Sequence, residues 1–268
     1  LTHFILEFLQ NLDDTSYDDD VDPSVKFILH KGYLHVHSNQ IGFSKDEVEA
    51  ICSINSSTKK NKTGTNDSIG EKGIGFKSVF RAADMVWLSS RGYHIKWDRN
   101  REFGVIAPEW WDEWPDPALP EDSGLTSFCM RIPKLQDREQ VSESLEKFDP
   151  ALLLFLRKLN CIELEVVEES GIKWKRIIRR KVTGKGSKGP NTTTLEDGES
   201  FSQYIKTQYI AKVPQEPKRP GCHKTKMILA FPVPDHQGLP LPPASQNVYS
   251  GLPISSHGLK VRATNTFY

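Results

Sequence analysis

Apolar positions Phe4, Ile5, Phe8, Leu9 and Leu12 keep the spacing of a helix buried along one face, which predicts an amphipathic helix over residues 2–14. The polar positions of that helix are periodic as well. Glu7, Asn11 and Asp14 fall at i, i+4 and i+7 and stack along one stripe. Two readings stand for the stripe, a solvated face or a set of groups with a task. Asn is a poor mid-helix residue because its amide competes with the backbone, so helix propensity does not account for Asn11.

Further along, alternation replaces the helical period. Val25 to His30 and Tyr33 to Val36 read as strands joined by a tight Lys31-Gly32 hairpin. The turn SNQIGF, residues 38–43, leads to a helix with Ser44 as N-cap and Glu47 completing a capping box. Residues 56–68 are polar and basic and read as a lid or an ordinary surface loop. MVWLSS, YHIKW, EFGVI and Thr126 to Ile132 read as neighbouring antiparallel strands. The loop 107–125 interrupts them, and its Trp110, Trp111 and Trp114 read as anchors or as a partner site. Two helices are expected over 137–159, then strands Ile162 to Val167 and Ile172 to Val182, a flexible loop over 183–199, and strands near 203–213, 224–231 and 258–263.

Composition narrows the class. With 37% hydrophobic and 26% charged residues, and 35 basic against 35 acidic side chains, the chain is globular and offers no global attraction for nucleic acid or membrane. The longest apolar run, Ala151 to Leu156, is far too short to span a bilayer. The four cysteines show no CxxC pairing and suggest reduced thiols in an intracellular compartment, cytoplasmic or nuclear. The chain opens at Leu1 inside a helical pattern and reads as a piece of a longer one. Basic residues around Trp174 on the strand 172–182 are either a solvated face or a nucleic-acid strip, the second being the weaker reading. His35 and His37 share a strand face, as surface residues or as a metal pair lacking a third ligand.

The stretch with the sharpest chemistry is IGEKGIGFKSVFRAAD, residues 69–84. Gly70, Gly73 and Gly75 precede a helical pattern of Phe76, Val79 and Phe80, and a glycine turn feeding a helix N-terminus suits phosphate. It is not a Walker loop, since Phe76 adds one residue before Lys77, and it is not a Rossmann turn, since Ser78 stands at the third glycine. By itself the turn reads equally as structural.

In chain order the helix carries E-x3-N-x2-D, a turn ends I-G-F, and GxxGxG opens a second helix. This combination resembles the GHKL ATPases, the superfamily of gyrase, heat-shock chaperones, histidine kinases and mismatch-repair proteins. ILEFLQN, SNQIGF, SSTKKN and IGEKGIGFKSVF look most like its heat-shock-chaperone-like branch and the sacsin and NO VEIN group.

The resemblance implies an α+β fold. It would be a two-layer α/β sandwich of the Bergerat type, with a mixed, mostly antiparallel sheet and helices on one face. Residues 1–135 would be the ATP-binding domain, and 136–268 a strand-rich extension of the sheet or the start of a following domain. The resemblance also implies roles. Asn11 would give its amide oxygen to Mg2+, Glu7 would activate the attacking water, and Asp14 would order the pocket. Gly70, Gly73, Gly75 and the N–H groups up to Phe76 and Lys77 would hold phosphates, and Thr126 would help bind adenine. Gly42 in the second turn and Lys59 in the lid complete the nucleotide-binding set.

The second motif departs from the superfamily, whose turn starts with an Asp that accepts from the adenine amine. Here Ser38 or Asn39 takes that place, which removes about 1 kcal/mol, roughly five- to tenfold in affinity. The implied function is ATP binding and slow Mg-dependent hydrolysis in a chaperone-like protein, with a client protein and nucleotide-dependent dimerisation as partners. The alternative is a degenerate nucleotide-binding scaffold without turnover.

Overall fold

The computed structural model describes residues 3–52, 76–119, 121, 124–183, 192–212, 224–233, 247–250, 252–256 and 262–267. The lid 56–68, Lys59, Gly70, Gly73, Gly75 and Cys222 lie outside the described residues. The chain divides into two units. The first holds the described residues up to Phe148 together with Lys158–Ile177, and the second holds Asp149–Arg157 and the described residues from Ile178 onward. The helix and strand just beyond residue 135 therefore belong with the N-terminal strands.

The first unit contains α1 (His3–Asp14), β1 (Ser24–His30), β2 (Tyr33–Ser38), α2 (Lys45–Cys52), a 3-10 segment (Phe76–Arg81), β3 (Met85–Ser90), β4 (Tyr93–Asp98), β5 (Glu109–Trp110), β6 (Thr126–Arg131), α3 (Leu135–Glu146) and β7 (Cys161–Glu168). Its strands neighbour one another in the order β7-β1-β2-β6-β3-β4-β5. All pairs are antiparallel except β1 with β7, which run parallel from Ser24 opposite Cys161 to His30 opposite Val167. Lys31 (φ 45°) and Gly32 (φ 91°) make the β1–β2 hairpin with two left-handed residues, and Arg91 (φ 48°) and Gly92 (φ 82°) do the same for β3–β4.

Alternation puts Leu34, Val36 and Ser38 on one face of β2 and Tyr33, His35 and His37 on the other. The first face meets α1: Phe8 stands edge-on to Phe128 at 5.1 Å, and Phe128 lies opposite Val36 in register. The second face is covered by the loop 107–125. Trp111 packs there with Trp87 and Cys129, and its Nε1 donates to the Leu88 carbonyl at 3.0 Å. The tryptophans at 111 and 114 are anchors, whereas Trp110 is 66% exposed and stacks on Tyr93.

The second unit contains a 3-10 segment (Pro150–Leu154), β9 (Thr192–Asp197), β10 (Ser200–Lys212), β11 (Lys224–Pro232), β12 (Asn247–Ser250), β13 (Leu252–Ser256), β14 (Arg262–Phe267) and the second half of β8 (Gly171–Thr183). Its strands follow the order β8-β9-β10-β11-β14-β12-β13, antiparallel except for β12 with β14. Arg180 is buried and donates to the carbonyls of Leu153, Leu156 and Arg157, closing the C-terminal end of the 3-10 segment.

This architecture corrects the expected two-layer α/β sandwich with helices on one face. The first unit builds a mixed sheet of seven described strands and the second unit is almost wholly strand, while α-helix among the described residues is confined to segments of 12, 8 and 12 residues. Those helices are too few to form a layer over so many strands. Where two faces of the β2–β6–β3 region need cover, an irregular tryptophan loop supplies one of them.

Three smaller expectations also fail. EFGVI is a set of turns with Phe103 at φ 56°, and the expected loop 183–199 contains β9. The apolar run after Pro150 is 3-10 rather than α-helical, capped by Asp149 accepting from Ala151 N at 3.0 Å.

Candidate functional site

α1 exposes its polar stripe because its opposite face is fully used. Phe4, Ile5, Phe8, Leu9 and Leu12 are buried, leaving Glu7, Asn11 and Asp14 half-buried along one side. Glu7 pairs with His3, Nδ1 to Oε1 at 3.4 Å, one turn away on the same helix. The carboxylate that the sequence pattern passes over is Asp13. It is fully buried, and its Oδ1 accepts from the backbone N–H groups of Lys158 (2.7 Å) and Leu159 (3.0 Å). A carboxylate in the last turn opposes the helix dipole, and this is the one sequence signal of its structural duty.

The segment that follows the glycine box is anchored to α1. Phe76 comes directly after Gly75, is buried, and lies with its ring 6.0 Å from Phe8, 6.0 Å from Phe128 and 5.1 Å from Trp97. Lys77 bends away from this aromatic group only as far as the Val105 carbonyl, to which its Nζ donates, and the ammonium lies 5.3 Å from the Phe76 ring centroid. Burial brings its pKa down to about 8, with the neighbouring Cys52 opposing the shift.

Ser38 and Thr126, chosen from separate motifs, are brought together as direct partners in the β2–β6 register. Both are buried. Thr126 Oγ1 shares a 2.8 Å hydrogen bond with Ser90 Oγ, and Ser90 Oγ accepts from the Phe43 N–H at 3.0 Å. Ser38 Oγ lies 3.4 Å from the Tyr17 hydroxyl, which itself donates to the Leu12 carbonyl at 3.0 Å. Burial raises the Tyr17 pKa, so the phenol stays protonated. Asn39 is engaged at both ends of its amide: Oδ1 accepts from Ser24 N and Nδ2 donates to the Asp22 carbonyl, each at 2.8 Å.

A cleft of about 250 Å3 is lined by Thr15 and Ser16 just after α1, the turn Gln40–Phe43, Glu47 of α2 and Arg91. The turn is tied to α1 by Ile41 N donating to the Ser16 carbonyl at 3.0 Å. The expected capping box is present, with Ser44 N and Oγ both donating to Glu47 Oε2 at 2.9 and 2.7 Å. Gly42 sits at φ +100°, and a Cβ there would meet Arg91 Cγ at 2.4 Å, so only glycine lets the Arg91 stem close over the turn. Gln40 is 7% exposed, and its Oε1 has no hydrogen-bond partner.

The histidines of β2 are neither on the surface nor arranged as a metal pair. His35 Nε2 and His30 Nδ1 both lie against Asp116 Oδ2, at 3.1 and 2.6 Å, beneath the tryptophan loop, and His37 Nδ1 pairs with Ser127 Oγ at 2.8 Å. Burial, reinforced by His37, drives the His35 pKa down to about 4. Burial alone would raise Asp116, but the hydrogen bonds from His30 and the Ala118 N–H outweigh it and hold the carboxyl below its ordinary value. Among the described residues no group of three or more His, Cys, Asp or Glu side chains is arranged to hold a metal.

The basic strip on β8 is largely consumed as well. Lys173 pairs with Glu168 (2.9 Å), Lys175 with Glu163 (3.3 Å) and Lys181 with Glu196 (2.6 Å), while Arg176 donates to the Phe148 carbonyl. No described helix is long and apolar enough to cross a membrane.

The described elements define a mixed-sheet protein with a polar cleft between one helix and the turn after its second strand. No family model matches the chain. It is similar to Protein NO VEIN of Arabidopsis thaliana, with 34% identity over 211 residues, which covers 72% of this chain and 8% of that protein.

Proposed function

We propose that the chain is an ATP-binding domain of GHKL type that hydrolyses ATP slowly with magnesium, inside a larger chaperone-like intracellular protein. The observation that carries the reading is the contact of Phe8 with Phe76 at 6.0 Å. It joins the helix bearing Glu7 and Asn11 to the residue that immediately follows the glycine box, 68 positions away in the chain (76 − 8). Two segments far apart in sequence thereby meet, which supports a shared nucleotide site.

The donor set fits magnesium modestly. One half-exposed amide at Asn11 suits a hard cation that keeps several waters and takes its other ligands from phosphate. Bound there, the ion supplies neutralisation of phosphate charge. Glu7, one turn earlier, orients and deprotonates water once its carboxylate leaves His3. Thr126 and Ser90 hold a hydroxyl pair tied to the Phe43 N–H, and Phe43 lines the cleft. A thermal melt with ATP and Mg2+ tests the first step: the midpoint should rise, and an unchanged midpoint at saturating nucleotide sinks the reading.

A second reading, a scaffold without turnover, is favoured by one observation. Ser38 and Asn39, the residues standing where an adenine-binding Asp is expected, both have their polar atoms turned to internal partners. Turnover measured on the same protein separates the two.

A further inference from the structure

We propose that one face of the second unit's sheet is a docking site for the phosphate backbone of a nucleic acid, whether or not the first unit binds ATP. The whole chain carries no net charge, so the attraction has to come from a local patch, and strand register makes one. β10, β11 and β14 are neighbours and contain no Asp or Glu, yet they carry Lys206, Lys212, Lys224, Lys226 and Arg262. The pairing sets Lys206 opposite Ala230, Lys212 opposite Lys224, Ile210 opposite Lys226 and Ala230 opposite Arg262, and directly opposed residues share a face. All five basic positions therefore fall on one side of the sheet.

One end of that face is closed and the other is open. Arg180, on the same side by register through Leu195 and Ser202, donates to the Leu153 carbonyl of the 3-10 segment, and Lys206 donates to the Leu154 carbonyl. Burial, reinforced by Arg180 and Lys226, brings the Lys206 pKa down to about 8, as expected where cations gather on one face. Further along β10, Lys212 is exposed, and neither it nor Lys226 has a hydrogen-bond or ion-pair partner among the described residues. A lysine directly opposite a lysine destabilises a strand pair, and a bound polyanion reverses that repulsion.

Charge complementarity and composition choose the occupant. Lysine is depleted from protein–protein interfaces, whereas it neutralises phosphate directly. A membrane surface needs apolar side chains beside the charges, and Ile210 is the one large apolar side chain exposed on this face of β10 and β11 among the described residues. The basic strip of β8 differs, since Lys173, Lys175 and Lys181 already pair with glutamates.

Fluorescence anisotropy of the whole chain with a labelled single-stranded oligothymidine, measured across salt, tests this. Neutralisation of phosphate by Lys212, Lys224, Lys226 and Arg262 gives log affinity against log salt a slope of about −2.8, or about a fiftyfold loss between about 50 and 200 mM salt. Lys212→Gln with Lys226→Gln should weaken binding and halve the slope to about −1.4, while Lys212→Arg with Lys226→Arg should keep both at wild-type values. Lys173→Gln with Lys181→Gln, which removes as much charge from β8, should also leave both unchanged. No binding by wild type at about 50 mM salt overturns the assignment, as does a slope that the Lys212 and Lys226 glutamine pair leaves unchanged, that the arginine pair loses, or that the β8 variant lowers equally. Tighter binding of poly-glutamate or of phosphatidylserine vesicles than of the oligonucleotide overturns it in favour of an acidic protein or a membrane.

Discussion

Ser38 and Thr126 are direct cross-strand partners, and their hydroxyls belong to two different chains of hydrogen bonds, one through Tyr17 to α1 and one through Ser90 to the Phe43 backbone. The pair therefore ties the last turn of α1 and the start of the α2 turn to the same point of the sheet. The two chains end at the Leu12 carbonyl, which Thr15 of the cleft also meets, and at Phe43, which lines the cleft.

Glu7→Ala should separate binding from chemistry. A positioned general base contributes about 10²–10⁴-fold, so turnover should fall at least about a hundredfold while the ATP-dependent rise in melting temperature persists. Phosphate release and a melt on the same sample report both. Equal turnover in the variant removes Glu7 from the reaction.

Asp13→Ala should destabilise the fold far more than its neighbour's position suggests. Two backbone N–H groups, at Lys158 and Leu159, lose their acceptor, for a loss of about 2–4 kcal/mol. Asp13→Asn retains an acceptor oxygen and should lose about half as much. Urea midpoints of the two variants would have to coincide for the assignment to fail.

Acid should loosen the cover over the β2 histidines. His35 titrates near 4 in the fold and near 6.5 when unfolded, so between those values the unfolded chain binds the extra proton. Its contribution is complete above pH 6.5 and drains as the pH falls to 4. Asp116, depressed in the fold, loses stability in the same direction once it protonates. Stability against pH should show a slope of up to about 1.4 kcal/mol per unit from His35 between about pH 4 and 6.5, Asp116 adding its loss only at lower pH, and His35→Leu should flatten the upper window.

The tryptophans of the 107–125 loop should differ sharply. Trp111→Ala empties a buried site and removes the hydrogen bond to the Leu88 carbonyl, for about 3–5 kcal/mol, whereas Trp110→Ala on the surface should stay within about 0.5 kcal/mol. Similar denaturation midpoints for the two would contradict the anchoring role.

Lys77 offers a proton count. With its pKa at about 8, a triphosphate bound nearby raises it, so binding at about pH 8.5 should take up a fraction of a proton. Calorimetry in two buffers of different ionisation enthalpy measures the uptake, and Lys77→Met should abolish it. No uptake in wild type places the phosphates away from Lys77.

What the sequence made legible was local. The Lys31-Gly32 hairpin, the Ser44–Glu47 box and the buried face of α1 each depend on residues within a few positions of one another, where period and turn chemistry decide. What it hid was non-local. Asp13 meets partners 145 positions away, His30 and His35 meet Asp116 from a loop, and β9 sits in a threonine-rich stretch that becomes a strand only because β8 and β10 flank it.

The parallel pairing of β1 with β7 sets a schedule for the chain during its synthesis. A ribosome that has delivered β1 through β6 still holds back the strand that completes β1 and the two amides that satisfy Asp13. Until residues 158–168 emerge, the N-terminal half waits with one raw strand edge and one stranded buried charge. A fragment ending at residue 135 should therefore be captured by chaperones or aggregate, however complete its motifs.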